Sequence, residues 1–167
     1  MKVGIIGTGA WGTGLAQVVH VVARGGSNVV LWSFDGEYQK FDGASLPAEV
    51  QITTNMADLR DCDVWLAVTP AAFFRETMAR AGEFYKSQPI IICTKGAEPK
   101  SGEFMTEVLR ESVTRVKNIG VLAGPQFVAD VARGVSTENT LDALLKKAPK
   151  AGVHVPVLKK MKTRFSK

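Results

Sequence analysis

The residues best placed to do chemistry in this sequence include three glycines near its beginning. Gly7, Gly9 and Gly12 fit the pattern G-x-G-x-x-G, which follows a short apolar run and precedes a segment of helical periodicity. The first glycine would allow a tight turn, the second would let backbone N–H groups approach a pyrophosphate, and the third would let helix and strand pack closely. Since the pyrophosphate would lie at the positive end of the helix dipole, this context predicts a dinucleotide site. The alternative is a strand-to-helix turn that binds nothing.

An acidic residue beyond the glycines bears on which dinucleotide is bound. In sites for NAD, a carboxylate about 20 residues further along the chain binds the ribose hydroxyls. Asp35 lies 23 positions after Gly12. Residues 33–35 contain no arginine that could bind the extra phosphate of NADP, although Ser33 or Lys40 could serve that phosphate. The sequence therefore favours NAD and leaves NADP open.

Lys95 is a further candidate, because it follows a run of isoleucines that predicts a buried strand. In open α/β sheets the carboxyl ends of the strands border the ligand crevice. A lysine at that edge can act as a fixed positive charge for a phosphate or as a proton donor. The alternative is a solvent-exposed lysine in a loop.

The elements that must position these residues alternate between strands and helices. Apolar and β-branched runs predict six strands, over residues 2–8, 28–32, 50–53, 63–69, 89–94 and 118–123. Helical spacing and helix-start signals predict helices over 10–24, from 70 onward, over 103–113 and over 125–132. This alternation predicts an α/β fold with a doubly wound parallel sheet of the Rossmann type, followed by a short helical tail.

Composition and charge limit the remaining classes of function. The chain of 167 residues is 46% apolar and 22% charged, and its two cysteines are too few for a disulfide framework or a zinc site. Residues 1–137 hold 13 basic and 14 acidic side chains, whereas 138–167 hold 8 basic and 2 acidic ones. We therefore predict a dinucleotide-binding domain over 1–137 and a basic tail over 138–167. We expect a cytoplasmic protein that has neither nucleic acid nor a membrane as partner.

Four motifs, taken together in this order, resemble one enzyme family. They are residues 7–13 (Gly-Thr-Gly-Ala-Trp-Gly-Thr), 31–32 (Leu-Trp), 94–98 (Thr-Lys-Gly-Ala-Glu) and 123–132 (Ala-Gly-Pro-Gln-Phe-Val-Ala-Asp-Val-Ala). The set is similar to the NAD(P)-dependent glycerol-3-phosphate dehydrogenases, over residues 1 to about 137. The resemblance implies hydride transfer between NAD(P)H and dihydroxyacetone phosphate. The product would be sn-glycerol 3-phosphate, a precursor of glycerophospholipids.

The resemblance also assigns roles to individual residues. It implies cofactor contacts at Gly7, Gly9, Ala10, Trp11, Gly12, Phe34, Phe73, Lys95 and Val128. It implies substrate contacts at Lys95, Gly124 and Gln126, with Lys95 also carried over as a catalytic residue. Gln126 and Val128 stand where the family usually has Ser and Ala, so bulkier side chains would crowd both sides of the site.

A larger departure concerns the family's helical second domain, which supplies the main catalytic lysine and an Arg-Asn pair for the phosphate. Neither is found in this sequence, and residues 134–137 and 151–157 instead look like the family's extreme C-terminus. Losing a positioned acid typically costs roughly 10²–10⁴-fold in rate, so we expect weak or no activity from this chain alone. The alternatives are a non-catalytic dinucleotide-binding remnant or subunit, a homo-oligomer or completing chain that rebuilds the crevice, and another short nucleotide-dependent reductase.

Overall fold

Apolar segments form six strands and three helices in the part of the chain that the structure describes. This computed structural model describes residues 1–22, 28–40 and 46–122. The strands are β1 (Lys2–Ile6), β2 (Asn28–Trp32), β3 (Gln51–Thr53), β4 (Val64–Ala67), β5 (Ile90–Ile92) and β6 (Ile119–Val121). The helices are α1 (Ala10–Val22), α2 (Ala71–Gly82) and α3 (Met105–Ser112), and a 3₁₀ turn at Met56–Leu59 precedes β4.

The six strands form one sheet in the order β3-β2-β1-β4-β5-β6, and all neighbouring strands are parallel. The chain runs outward from β1 to β3, then returns to the other side of β1 and runs outward again to β6. This is the strand order of a dinucleotide-binding Rossmann fold. The prediction of a doubly wound α/β fold is therefore confirmed.

Both faces of the central strands are buried, which explains why their sequences are almost continuously apolar. On one face, Ile5 and Leu31 pack with Leu15 of α1. On the other face, Ile6 packs with Phe74 of α2 and with buried side chains of α3. Successive residues of β1 therefore belong to two different cores, as the alternation of side chains along a strand requires.

Two tryptophans, Trp32 and Trp65, and both cysteines lie in these cores. Trp32 and Trp65 are 3% and 0% exposed, and the Trp65 indole donates a hydrogen bond of 2.8 Å to the Leu59 carbonyl. Burial raises the pKa of the Cys62 thiol to about 11 and that of the Cys93 thiol to about 12. Both thiols therefore stay protonated and act as small core side chains.

Several elements are shorter than the sequence predicted. β1 was expected to reach residue 8 and ends at Ile6, because Gly7 turns the chain at a φ of 119°. β4 and β5 end at Ala67 and Ile92, two residues before their predicted ends. The 3₁₀ turn was not predicted, and its signal is Asn55, whose side-chain oxygen accepts a 3.1 Å hydrogen bond from the backbone N–H two residues on.

Some predictions fall on residues outside the described ranges. These are the predicted end of α1 at 23–24, the helix over 125–132 and the basic tail over 138–167. Within the described ranges, none of the helices combines the length and the apolar character that crossing a membrane requires.

Candidate functional site

The candidate site lies where the strand order reverses, at the carboxyl ends of β1 and β4. In open α/β sheets ligands bind in the crevice at this point. The glycine loop, residues 7–12, leaves β1 and includes the first residues of α1, and residues 68–70 leave β4 and lead into α2. The carboxyl end of the next strand, β5, brings Thr94 and Lys95 to the same edge of the sheet.

The three glycines of the loop 7–12 each have a distinct environment. A Cβ on Gly12 would lie 2.0 Å from the Gly7 carbonyl oxygen, so the start of α1 and the end of β1 are packed too closely for a side chain. Gly7 has a φ of 119°, and a Cβ there would lie 3.1 Å from the backbone nitrogen of Thr69. At Gly9, by contrast, a Cβ would have no atom of the described residues within 4 Å. The loop therefore offers backbone to an open space at the start of α1, which is the shape that a bound pyrophosphate needs.

The loop after β2 folds back toward these glycines and presents Asp35 and Phe34. The backbone N–H of Gln39 donates to the Thr8 carbonyl at 3.0 Å, which brings the two loops together. The Asp35 carboxylate accepts hydrogen bonds of 3.0 Å from the Glu37 backbone N–H and from the Ser33 hydroxyl. These bonds, that of the Glu37 N–H above all, hold the pKa of Asp35 below its usual value. Asp35 is thus charged at neutral pH, and the Phe34 ring beside it is 77% exposed.

Ser33 is not available to the extra phosphate of NADP, so that suggestion is wrong. Its side chain is 0% exposed. Its hydroxyl oxygen lies within hydrogen-bond distance of the Thr8 hydroxyl, the Asp35 carboxylate and the Glu37 carbonyl, at 3.2, 3.0 and 2.6 Å. Lys40, the other candidate for the phosphate, is exposed.

Lys95 and Trp11 lie together at the wall of one cavity. The Lys95 ammonium nitrogen is 5.7 Å from the centre of the Trp11 ring, within range of a cation–π interaction. The cavity has a volume of about 420 Å³. Its lining is mostly apolar and comes from the ends of β5 and β6, the start of α3 and the glycine loop: Trp11, Ile92, Thr94, Lys95, Gly96, Phe104, Met105, Thr106, Val121 and Leu122. Lys95 is the charged side chain among these described lining residues.

Hydrogen bonds fix the strand ends that carry these side chains. The Thr94 hydroxyl lies 2.7 Å from the Thr69 carbonyl oxygen and 3.3 Å from that of Ala67. The end of β5 is therefore tied to the end of β4 at the residue before Lys95. Phe73, in the first turn of α2, is 62% exposed.

Two features of this region were not found from the sequence. Phe104, directly before α3, is 71% exposed and forms part of the cavity wall beside Lys95. Its signal is a large apolar side chain at a helix start, where a small polar residue is usual. Arg75 of α2 forms ion pairs with Glu98, Glu103 and Glu111, which are far from it in sequence.

The remaining candidate residues, Gly124, Gln126 and Val128, lie outside the described ranges. Among the described residues, no three histidine, cysteine, aspartate or glutamate side chains are grouped in a way that could hold a metal ion. The site described by the structure is thus built from a glycine loop, an acidic loop and a lysine beside aromatic rings.

Strand order and glycine loop together define a dinucleotide-binding Rossmann domain. Residues 2–148 match the family model of the NAD-dependent glycerol-3-phosphate dehydrogenase N-terminus. A glycerol-3-phosphate dehydrogenase [NAD(P)+] of Maricaulis maris is 36% identical over 157 residues, which cover 84% of this chain and 44% of that protein. The corresponding protein of Caulobacter vibrioides is 35% identical, over 95% of this chain and 51% of its own length. The chain belongs to the NAD(P)-dependent glycerol-3-phosphate dehydrogenase family, and it matches the family's N-terminal, NAD(P)-binding domain.

A solved structure supports the same assignment. The crystal structure of glycerol-3-phosphate dehydrogenase from Coxiella burnetii superimposes with a TM-score of 0.67 and 27% sequence identity. It covers 79% of this chain, and this chain covers 43% of that one. The chain therefore spans about half the length, or less, of the relatives that it matches.

Proposed function

We propose that this chain binds a nicotinamide dinucleotide and positions it for hydride exchange with dihydroxyacetone phosphate, giving sn-glycerol 3-phosphate. The observation that carries the proposal is that Trp11 of the glycine loop and Lys95 at the end of β5 line one cavity. A group that binds dinucleotides and a group that suits a phosphate or a carbonyl oxygen are thereby placed side by side. The family membership of the chain supports this pairing.

The glycine loop fits the dinucleotide that the family implies. The open space at Gly9 and the close packing at Gly12 leave room for a pyrophosphate against the first N–H groups of α1. We assign cofactor contacts to these two glycines and to Gly7, Ala10, Trp11, Phe34, Phe73, Lys95 and Val128. The nicotinamide supplies the hydride when it is bound.

The role proposed for Lys95 is to bind and orient the phosphorylated triose. Its ammonium group provides a positive charge at the cavity wall, where a substrate oxygen can be polarised or a phosphate bound. Gly124 and Gln126 complete the proposed substrate contacts. The mostly apolar lining of the cavity suits the uncharged part of a ligand.

We propose that NAD is preferred over NADP. Asp35 is charged at neutral pH and lies in the loop that approaches the glycines, where the adenosine ribose would bind. A carboxylate can accept hydrogen bonds from two ribose hydroxyls and repels a 2′-phosphate. Phe34, exposed next to it, would lie against the adenine ring.

A second candidate function is a dinucleotide-binding module that does not turn over substrate by itself. It is favoured by the family model that residues 2–148 match, which is that of the NAD-dependent N-terminus. Such a module would work as a homo-oligomer or with a completing chain, in the cytoplasm. Both candidates bind the dinucleotide. They differ in whether the triose phosphate tightens that binding.

Calorimetric titration tests both proposals. The chain is titrated with NADH and with NADPH, first alone and then with dihydroxyacetone phosphate present. Tighter NADH binding in the presence of the triose phosphate supports the dehydrogenase, and a turnover assay at 340 nm (the absorbance of NADH) then measures the rate. NADH binding without coupling supports the module. Absence of binding to either dinucleotide overturns both.

A further inference from the structure

Arg75 joins three segments of the chain beside helix α2. Its Nε and Nη2 atoms donate to the two carboxylate oxygens of Glu98, at 2.8 and 2.9 Å. Nη2 also donates to Glu103 at 2.7 Å, and Nη1 donates to Glu111 of α3. Glu98 is 7% exposed, so its carboxylate is largely shielded from water, whereas the Arg75 side chain is 39% exposed. Such a planar fork fixes direction as well as distance, which a single lysine ammonium cannot do.

Two of these carboxylates belong to a closed loop that begins at Lys95 and ends at Phe104. Gly96 turns the chain at a φ of 89°, and the residue after it forms an antiparallel bridge with Phe104. The Glu98 backbone N–H donates to the Glu103 carbonyl at 2.9 Å. Lys95 and Phe104 both line the cavity, so the shape of one cavity wall depends on how this loop is held.

Arg75 itself lies outside the set of described residues that line the cavity. It sits one turn into α2, a helix that starts at the end of β4 and packs on the core through Phe74 and Met78. The helix therefore serves as a rigid support against which the loop is clamped.

We propose that Arg75 is a positioning residue for Lys95: by holding Glu98 and Glu103, it sets the loop so that the Lys95 ammonium group stays over Trp11 and faces the cavity. The proposal rests on the proposed role of Lys95 in binding a phosphorylated substrate. Arg75 acts through the loop and has no contact with substrate. Removing the Arg75 guanidinium should therefore displace Lys95 while the domain stays folded.

The first test follows the position of Lys95 by NMR and needs no ligand. Protons above an aromatic ring are shielded, so the Lys95 side-chain signals should lie upfield in the unaltered chain and move toward ordinary lysine positions in Trp11→Leu. We expect Arg75→Gln to move them in the same direction, Arg75→Lys to move them partway, and Glu98→Gln to give a smaller shift.

A matched control is Lys86→Gln, which removes an ion pair of 2.6 Å with Asp61. These two residues lie shortly before the amino ends of β5 and β4, away from the cavity. It should leave the Lys95 signals unchanged. Circular dichroism verifies that each variant is folded. If Arg75→Gln is unfolded, Glu98→Gln takes its place in the test. Unshifted Lys95 signals in a folded Arg75→Gln variant overturn the proposal, as do unshielded signals in the unaltered chain.

The second test measures binding of glycerol 3-phosphate with NADH at saturation. Misplacing a catalytic or binding group by about 1 Å can cost up to ~10²-fold in rate or affinity. We therefore expect Arg75→Gln to lower the affinity for glycerol 3-phosphate by about tenfold and the affinity for NADH by less than about twofold. Equal losses for both ligands would indicate a general structural role and overturn the proposal. If the unaltered chain binds no glycerol 3-phosphate, the proposed function fails, while the NMR test still decides the role of Arg75.

Discussion

The ammonium nitrogen of Lys95 lies 5.7 Å from the centre of the Trp11 ring, and this contact links the two halves of the site. Trp11 lies in the first turn of α1, which follows β1, and Lys95 belongs to the loop that leaves β5, with β4 lying between these strands. A cation held over an aromatic ring has a preferred position before any ligand arrives. For the phosphate that we propose Lys95 to bind, the ring would therefore lower the ordering cost.

Replacing Trp11 by leucine should weaken the binding of glycerol 3-phosphate. A partly exposed cation–π pair contributes about 0.5–1 kcal/mol, which corresponds to roughly a two- to fivefold loss of affinity. Calorimetry with NADH at saturation measures this loss, and Trp11→Phe, which keeps a weaker ring, should lie between leucine and tryptophan. If Trp11→Leu binds as tightly as the unaltered chain, the ring does not organise Lys95.

Alanine substitutions at Gly12 and Gly9 should separate packing from ligand binding. The Cβ of Gly12→Ala would clash with the Gly7 carbonyl, so we expect the free energy of unfolding to fall by about 1–3 kcal/mol. Gly9→Ala meets open space and should change that free energy by less than about 0.5 kcal/mol. The added methyl group would, however, occupy the space proposed for the pyrophosphate and lower the affinity for NADH. Urea unfolding and NADH titration of both variants test this, and equal stability losses would contradict it.

The sheet and the convergence of the site could be predicted from the sequence because they depend on local patterns. Apolar runs alternate with helical segments, and a parallel sheet brings the carboxyl ends of its strands to one edge. This is why the glycine loop and Lys95 could be placed near each other. The exact ends of the strands could not be predicted. The hydrogen-bonded pairing of a strand stops where the backbone turns away, as it does at Gly7.

The support of the site could not be predicted, because it depends on contacts between distant residues. Arg75 meets Glu98, Glu103 and Glu111 across 23, 28 and 36 positions, and no periodic pattern relates them. The burial of Ser33 could not be predicted for a similar reason. A serine at a strand end is usually exposed, whereas here the loop 33–37 closes around its hydroxyl.

Neutralising Asp35 should reduce the preference for NADH over NADPH. At an effective dielectric near that of a protein surface, a unit charge a few ångströms from a phosphate contributes on the order of 1 kcal/mol or more. We therefore expect Asp35→Asn to lower the ratio of NADPH to NADH dissociation constants by about fivefold. Glu37→Gln is the control, since Glu37 contacts Asp35 through its backbone N–H. An unchanged ratio in Asp35→Asn would place the ribose elsewhere.

The pairing of Glu98 with Arg75 should make stability depend on pH in the acid range. The hydrogen bonds from Arg75, followed by that from Ser101, lower the pKa of Glu98 to about 2, below the ordinary value of 4.5. A carboxylate with a lowered pKa stabilises the folded state above the unfolded pKa, and this contribution is lost as pH falls toward the folded pKa. The window is therefore from about pH 4.5 down to about pH 2.

Within this window, Glu98→Gln should lose less stability on acidification than the unaltered chain, because it has no proton to take up at this position. At neutral pH the variant should be the less stable of the two, since Arg75 then lacks its most buried partner. Urea unfolding at a series of pH values measures both effects. Glu76→Gln, which removes an exposed carboxylate next to Arg75 in sequence, controls for net charge. Parallel pH profiles for the unaltered chain and Glu98→Gln would show that the pair contributes nothing to folding.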